Sequence, residues 1–404
     1  MPRVFRIVLV CAMIVAAGFS AAGAAPHIVV DMRSGKVLSQ KEAFDRWYPA
    51  SLTKLMTAYT VFKEIKTGRI SLLSPVKITD NALSAPPSKM GYPVGTLLNF
   101  DTAIKILMVK SANDIATAIA ESTAGNEPAF IAMMNANAAA LGMRDTHFVN
   151  AHGLHDENQY TSARDLALLA KALSKEFPSY AGYFAIPAIR SGKRVLQNHN
   201  PLLQRFDGTT GMKTGFVCAA GLNIVVTAQR NGKNLLAVVL GGPTGQERNV
   251  RAAMLLTAAF QQNAFFIRTK LDTMKPVGPV KRVPTDMRET VCKKRTKSEA
   301  ENNGDDETSA VFGMKEPSLD DLEAKYLKPK GSNTRIVPIV LGNTTGPDPY
   351  NLAGKSEEPL TSFADSAAGS DANTPAAHAE WPLVEGTSAM KVPVPLPRPV
   401  AGAN

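Results

Sequence analysis

Gly221-Leu-Asn-Ile-Val-Val-Thr-Ala228 and Asn234-Leu-Leu-Ala-Val-Val-Leu240 flank the tetrapeptide Arg230-Asn231-Gly232-Lys233. An Asn-Gly pair supplies the two left-handed residues of a tight hairpin turn, so the two runs read as adjacent antiparallel strands. Residues 247–262 then read as a closing helix. Far upstream, the alternating His27-Ile-Val-Val-Asp31, the turn Arg33-Ser34-Gly35 and Lys36-Val37-Leu38-Ser39 predict an opening hairpin. Helical periodicity occupies 52–66, 101–124, 128–141 and 162–173, with Gly68, Gly125 and Gly142 as stops. Strands at both ends and helices between them predict an α+β domain over 25–265. Its antiparallel sheet is flanked by helices, with a helical subdomain, and joins the two ends of the domain.

The remainder of the 404 residues has a different texture. Of 27 prolines, 15 fall in 271–404, and Val392-Pro-Val-Pro-Leu-Pro-Arg-Pro399 favours extended polyproline II over a packed core. Arg335-Ile-Val-Pro-Ile-Val-Leu341 resembles a strand, interrupted by Pro338. Residues 266–404 are therefore expected to be a Pro-rich, largely disordered tail. Charge follows the same division: 26–270 carries 27 basic and 16 acidic residues, net +11, while 271–404 carries 16 and 19, net −3. The overall +10 belongs to the folded part.

The first 24 residues read as an export signal: Arg3 and Arg6, the apolar run from Ile7 to Phe19, then Ala22-Gly23-Ala24, with cleavage after Ala24 because Pro26 disfavours a later site. About 13 apolar residues span roughly 20 Å as a helix, short of a ~30 Å hydrocarbon core. No 18-residue apolar run exists, which excludes a polytopic membrane protein. Export also argues against nucleic acid as the target of the basic domain, as does the lack of clustered basic and aromatic residues. Cys11 leaves with the signal. Cys218 lies in an apolar small-residue stretch and Cys292 in a charged one, which favours two free thiols over a single bridge.

Three short motifs carry chemistry. Ser51-Leu52-Thr53-Lys54 opens a predicted helix, where residues three apart share a face, so the Lys54 amine can reach the Ser51 hydroxyl. A lysine neutralised by burial or nearby cations can activate such a hydroxyl. Ser111-Ala112-Asn113 offers Ser111 as a proton relay, or as a plain helix N-cap, and Asn113 as a hydrogen-bonding partner of Lys54 or of a substrate amide. Lys213-Thr214-Gly215 precedes the hairpin: Lys213 and Thr214 suit a carboxylate, and Gly215 admits a substrate backbone. Each triplet alone is weak, since Ser74-Pro-Val-Lys77, Ser388-Ala-Met-Lys391 and Lys66-Thr67-Gly68 repeat two of them. Their order, spacing and local structure together are specific.

With these motifs the chain resembles the serine D-alanyl-D-alanine carboxypeptidases, the low-molecular-mass penicillin-binding proteins of the β-lactamase/transpeptidase-like superfamily, over about 27–262. Tyr48-Pro-Ala-Ser-Leu-Thr-Lys-Leu-Met-Thr57, Thr146-His-Phe-Val-Asn-Ala-His-Gly-Leu154, Gln159-Tyr-Thr-Ser-Ala-Arg-Asp165, Asp207-Gly-Thr-Thr-Gly-Met-Lys-Thr-Gly215 and Gly241-Gly-Pro-Thr-Gly-Gln-Glu-Arg248 also carry the likeness. The resemblance implies Ser51 as nucleophile, Lys54 as base and Ser111 as relay. It implies Asn113, Lys213, Thr214, Gly215 and Arg248 in substrate binding, with Arg248 reading a terminal carboxylate. The implied substrate is a peptidoglycan stem peptide, with β-lactams as inhibitors and no cofactor or metal. Phe216 departs from the histidine often found after the third motif. The tail shows no amphipathic helix of the kind that anchors envelope-bound members, so no firm membrane anchor is expected.

The same residues would serve a DD-endopeptidase or transpeptidase. A class A β-lactamase needs a glutamate followed by a Leu-Asn pair, which Glu121, Glu127, Glu157 and Glu176 all lack. A non-catalytic wall-binding module would not need Ser51, Lys54, Ser111 and Lys213 intact. His147, His152 and His155 lack the spacing of a zinc site and read as structural.

Overall fold

The computed structural model describes residues 26–293, 317–331 and 334–354. The export segment, its cleavage site and the run at 392–399 lie outside the described residues.

The hairpin forms as read: β8 (Gly221–Arg230) pairs with β9 (Lys233–Gly242) through Asn231-Gly232, both at positive φ. β9 pairs in turn with β1 (His27–Asp31), β1 with β2 (Val37–Lys41), and β8 with β7 (Thr209–Val217). The result is an antiparallel sheet of order β2-β1-β9-β8-β7 that unites the two ends of the domain. Period-two alternation divides its side chains cleanly. Val225, Leu236 and Val238 face one hydrophobic cluster, while Ile224, Val226, Ala237 and Val239 face another. The second cluster is closed by α8 (Gly245–Gln261).

On the other face sits α1 (Thr53–Lys66), buried without interruption from Thr53 to Phe62. A helix enclosed on all sides needs neighbours on all sides. Around it lie α3 (Phe100–Val109), α4 (Asn113–Ala124), α5 (Glu127–Ala140) and α6 (Ala163–Glu176), and the short β3 (Pro75–Lys77), α2 (Asp80–Ser84) and β4 (Leu97–Asn99) pack on α3 and α4. The single helix expected over 101–124 is in fact α3 and α4, separated by a turn at Ser111, whose φ of 62° no α-helix accommodates. The hairpin β5 (Ala188–Ser191) and β6 (Arg194–Gln197) and the short α7 (Leu202–Arg205) lead into β7.

Two expectations need correction for the described residues. First, the stretches of 266–354 expected to be of low order pack against the body. Leu271 is fully buried, and α10 (Leu319–Tyr326) lays Leu319, Leu322 and Tyr326 on the α8 cluster. β10 (Ile336–Pro338) adds in parallel to the edge of β5, and Tyr350 reaches Arg69. A Pro-rich chain can borrow order from a sheet edge or a helix face, and no local pattern reveals such partners. Pro338 sits on an edge strand, where a missing N–H is tolerated. Second, Cys218 and Cys292 are joined, Sγ to Sγ 2.06 Å and Cα to Cα 5.7 Å. The short α9 (Arg288–Val291) is brought to the end of β7 by the Met287 N–H, which donates to the Ala219 carbonyl at 3.0 Å. That register, and not local composition, sets the two sulfurs together.

Candidate active site

Ser51 lies in a 3-10 turn, Ala50–Leu52, that runs directly into α1, so Lys54 follows it by one turn on the same face. Lys54 is completely buried. Its Nζ stands 3.0 Å from Ser51 Oγ, 2.8 Å from Asn113 Oδ1 and 2.6 Å from the carbonyl oxygen of His152. Burial, reinforced by the charge of Lys213 and opposed by Asp114, holds this amine well below the ordinary 10.5. A neutral amine has two N–H groups and one lone pair. Asn113 Oδ1 and the His152 carbonyl can only accept, so they take the two donors and leave the lone pair for the Ser51 hydroxyl.

Asn113 opens α4 and anchors a loop as well: its Nδ2 donates to the Pro86 carbonyl at 2.9 Å, and its N–H to the Ser88 carbonyl at 2.7 Å. Ser111 is not the N-cap of α4, a place taken by Ala112 without a side-chain bond. Glycine would adopt its left-handed backbone freely, whereas serine does so at a cost of roughly 1 kcal/mol and brings a hydroxyl to the cleft. That hydroxyl accepts from Lys213 Nζ at 2.9 Å, and Lys213 also donates to the Thr214 carbonyl. Its observed partner is therefore Lys213 rather than Lys54.

Lys213, Thr214 and Gly215 lie on β7. Lys213 is 2% exposed, and burial with the neighbouring Arg248 charge lowers its amine from 10.5 to about 7. Gly215 sits against the 3-10 turn: a Cβ there would stand 3.0 Å from Pro49 O, Ser51 N and Leu52 N. The glycine thus lets β7 approach the serine backbone. Arg248, in the first turn of α8, is buried and lowered by burial from 12.5 to about 10, and its Nε and Nη2 donate to Asn249 Oδ1.

Ser51, Ser111, Asn113, Thr214, Gly215 and Arg248 line one cleft of about 500 Å³, with Lys54 and Lys213 buried in its wall. All eight residues singled out from sequence are thereby gathered. Phe216 stands at the cleft, half exposed. Three contributors escaped the sequence reading. The His152 carbonyl holds Lys54. Gly153, at φ +92°, passes so close to Ala50 that a Cβ would fall 1.9 Å from its carbonyl oxygen. His199, on the loop after β6, faces the cleft; desolvation, then the charges of Lys213, Lys110, Arg248 and Lys54, lowers it to about 4. His152 lies in one of the stretches that carry the family likeness, but a role played by its carbonyl has no side-chain signature. Of the three clustered histidines, His147 Nδ1 meets the Asn158 carbonyl, His152 Nδ1 accepts from the Leu154 N–H, and His155 packs edge to face on the Tyr48 ring. Among the described residues no group of His, Cys, Asp and Glu could hold a metal ion.

This arrangement brings together the three motifs that carry the likeness to the penicillin-binding proteins. The pattern of the D-alanyl-D-alanine carboxypeptidase family, peptidase S11, matches residues 14–244, and the chain belongs to that family. It is 35% identical over 242 residues to the D-alanyl-D-alanine carboxypeptidase DacA of Escherichia coli strain K12, covering 58% of this chain and 60% of that protein. To DacC of the same strain it is 33% identical over 342 residues, 82% of this chain and 80% of the relative. Among solved structures, penicillin-binding protein D2 from Listeria monocytogenes in its cefotaxime-bound form superposes with a TM-score of 0.54 at 27% identity, covering 59% of this chain and 97% of that one. The chain thus spans about 60% of the length of DacA.

Proposed function

We propose that this protein is an exported serine DD-carboxypeptidase that removes the terminal D-alanine from peptidoglycan stem pentapeptides and is acylated by β-lactams. The observation that carries the reading is the hydrogen-bonded set Ser51, Lys54 and Asn113 facing Ser111 and Lys213 across one cleft, with Arg248 beside it. Ser51 Oγ attacks the carbonyl between the last two D-alanines while Lys54 takes its proton. Backbone N–H groups at the junction of the 3-10 turn and β7 hold the oxyanion. Ser111 delivers a proton to the departing amine, so that free D-alanine leaves and an ester on Ser51 remains. Water then hydrolyses the ester to the shortened peptide's carboxylate and restores the serine. Lys213, Thr214 and Arg248 recognise the terminal carboxylate, which favours an exopeptidase over cleavage within a cross-link.

Export with cleavage after Ala24 rests on the sequence of 1–24 and is supported by the Cys218–Cys292 bond, which persists in oxidising compartments. We assign 25–265 to the catalytic domain and 266–404 to an appendage whose described parts lie on it. Labelling with a fluorescent penicillin tests the reading. A long-lived adduct, absent from Ser51→Ala, together with D-alanine release from a pentapeptide, is expected. Rapid turnover without an adduct would make the protein a β-lactamase, and inertness to both reagents would make it a wall-binding module. Release from cross-linked dimers in preference to pentapeptide would make it an endopeptidase.

A further inference from the structure

Where α8 ends, the chain continues Gln262-Asn-Ala-Phe-Phe-Ile-Arg-Thr-Lys270. Phe265 is 77% exposed and Phe266 82%, their rings edge to face at 5.1 Å. Their backbone is held. Lys233 Nζ donates to the carbonyls of Phe260 and Gln262, and Lys36 Nζ to that of Ala264 at 2.8 Å. The Val37 N–H donates to the Thr269 carbonyl, and Leu271, fully buried, donates its N–H to the Gly35 carbonyl. The segment therefore buries Leu271 while presenting two phenylalanines to solvent from an anchored turn.

Cations lie on the same segment and on the turn beside it. Arg268 and Lys270 follow within five residues, Arg33 lies at the adjoining β1–β2 turn, and none of the three forms an ion pair among the described residues. Of the nearby acids, Asp31 accepts from the N–H groups of Arg33 and Ser34, and Asp272 is paired with Lys171. Two rings bury at most roughly 500 Å² between them, below the ~800 Å² per partner of a standard protein interface. An exposed aromatic pair with cations on its own segment and on the adjoining turn matches the boundary between anionic headgroups and acyl chains.

We propose that this face docks the protein on an anionic phospholipid bilayer, Phe265 and Phe266 entering below the headgroups while Arg33, Arg268 and Lys270 meet lipid phosphates. The full chain is sedimented with vesicles of phosphatidylglycerol and phosphatidylethanolamine, and with vesicles of phosphatidylcholine alone. Binding to the anionic vesicles that weakens with salt is expected, and Phe265→Ser/Phe266→Ser should reduce it by about tenfold or more. Arg268→Glu/Lys270→Glu should do the same. The apolar run at 7–19 is common to parent and variants, so their difference reads this face alone. In Phe266→Trp, the emission gained over the parent should shift to the blue with anionic vesicles and not with phosphatidylcholine. Equal binding of parent and Phe variant overturns the proposal. So does retention on isolated wall sacculi without vesicle binding, or concentration-dependent self-association that the Phe variant abolishes.

Discussion

Lys54 and Lys213 are enclosed in the wall of the cleft, while Arg268 and Lys270 stand in water beside an exposed aromatic pair. In the cleft, desolvation is the largest influence on both amines and drives them toward the neutral form, which suits the proposed base Lys54 and makes Lys213 a conditional cation. On the outer face a charge acts through its reach, screened within about 8 Å at physiological salt. Position relative to solvent, more than residue identity, decides whether a basic side chain does chemistry or attraction.

The sharpest way to break this contrast is to remove the buried base. Lys54→Ala should slow acylation by a β-lactam at least ~10³-fold while leaving vesicle binding intact; a loss below tenfold would remove Lys54 from its role. Next, Cys218→Ser/Cys292→Ser opens a loop spanning 74 positions. Its loss is expected to cost about 4 kcal/mol on chain-entropy grounds, read as a lowered denaturation midpoint, and an unchanged midpoint would mean that the α9 segment is held by its other contacts. Gly215→Ala tests the close approach of β7 to the serine turn, and acylation should slow by roughly 10- to 100-fold from a small misplacement of the nucleophile.

A pH series separates the two cation sets further. With Lys213 at about 7 in the free protein, it is charged below that value and increasingly neutral above it. KM for a carboxylate-terminated peptide should rise with pH above 7, up to about tenfold per unit, and Lys213→Arg should flatten the rise. The sign for stability follows from the same lysine. Its folded value lies below the ordinary 10.5, so between about 7 and 10.5 the unfolded chain binds the extra proton, and this group's contribution makes stability increase with pH. The smallest effect belongs to the outer face: Phe265→Ser/Phe266→Ser should alter the acylation rate by less than about twofold, as expected for exposed positions remote from the cleft.

Sequence legibility divides along the same line between local and distant causes. The hairpin at Asn231-Gly232 and the pairing of Ser51 with Lys54 were readable because turn chemistry and helical spacing are local. The three motifs foretold their convergence through order and context. A helix start at Ser111 was open to reading as an N-cap, but the left-handed backbone there was not, since neighbouring apolar periodicity runs through it. The carbonyl of His152, the passage of Gly153 beside Ala50 and the position of His199 escaped as well, because each depends on a neighbour brought close by the fold. The order of the described stretches within 266–354 was hidden for the same reason: α10 needs α8, and β10 needs β5.

The Cys218–Cys292 bond also orders events in time. A chain emerging from its N-terminus delivers every residue that lines the cleft by Arg248, yet Cys218, just past β7, still waits for Cys292, 74 positions beyond it. A chain stopped at residue 291 would contain the whole chemical apparatus and lack its covalent closure. The bond therefore distinguishes a finished molecule from a truncated one that carries the same cleft residues.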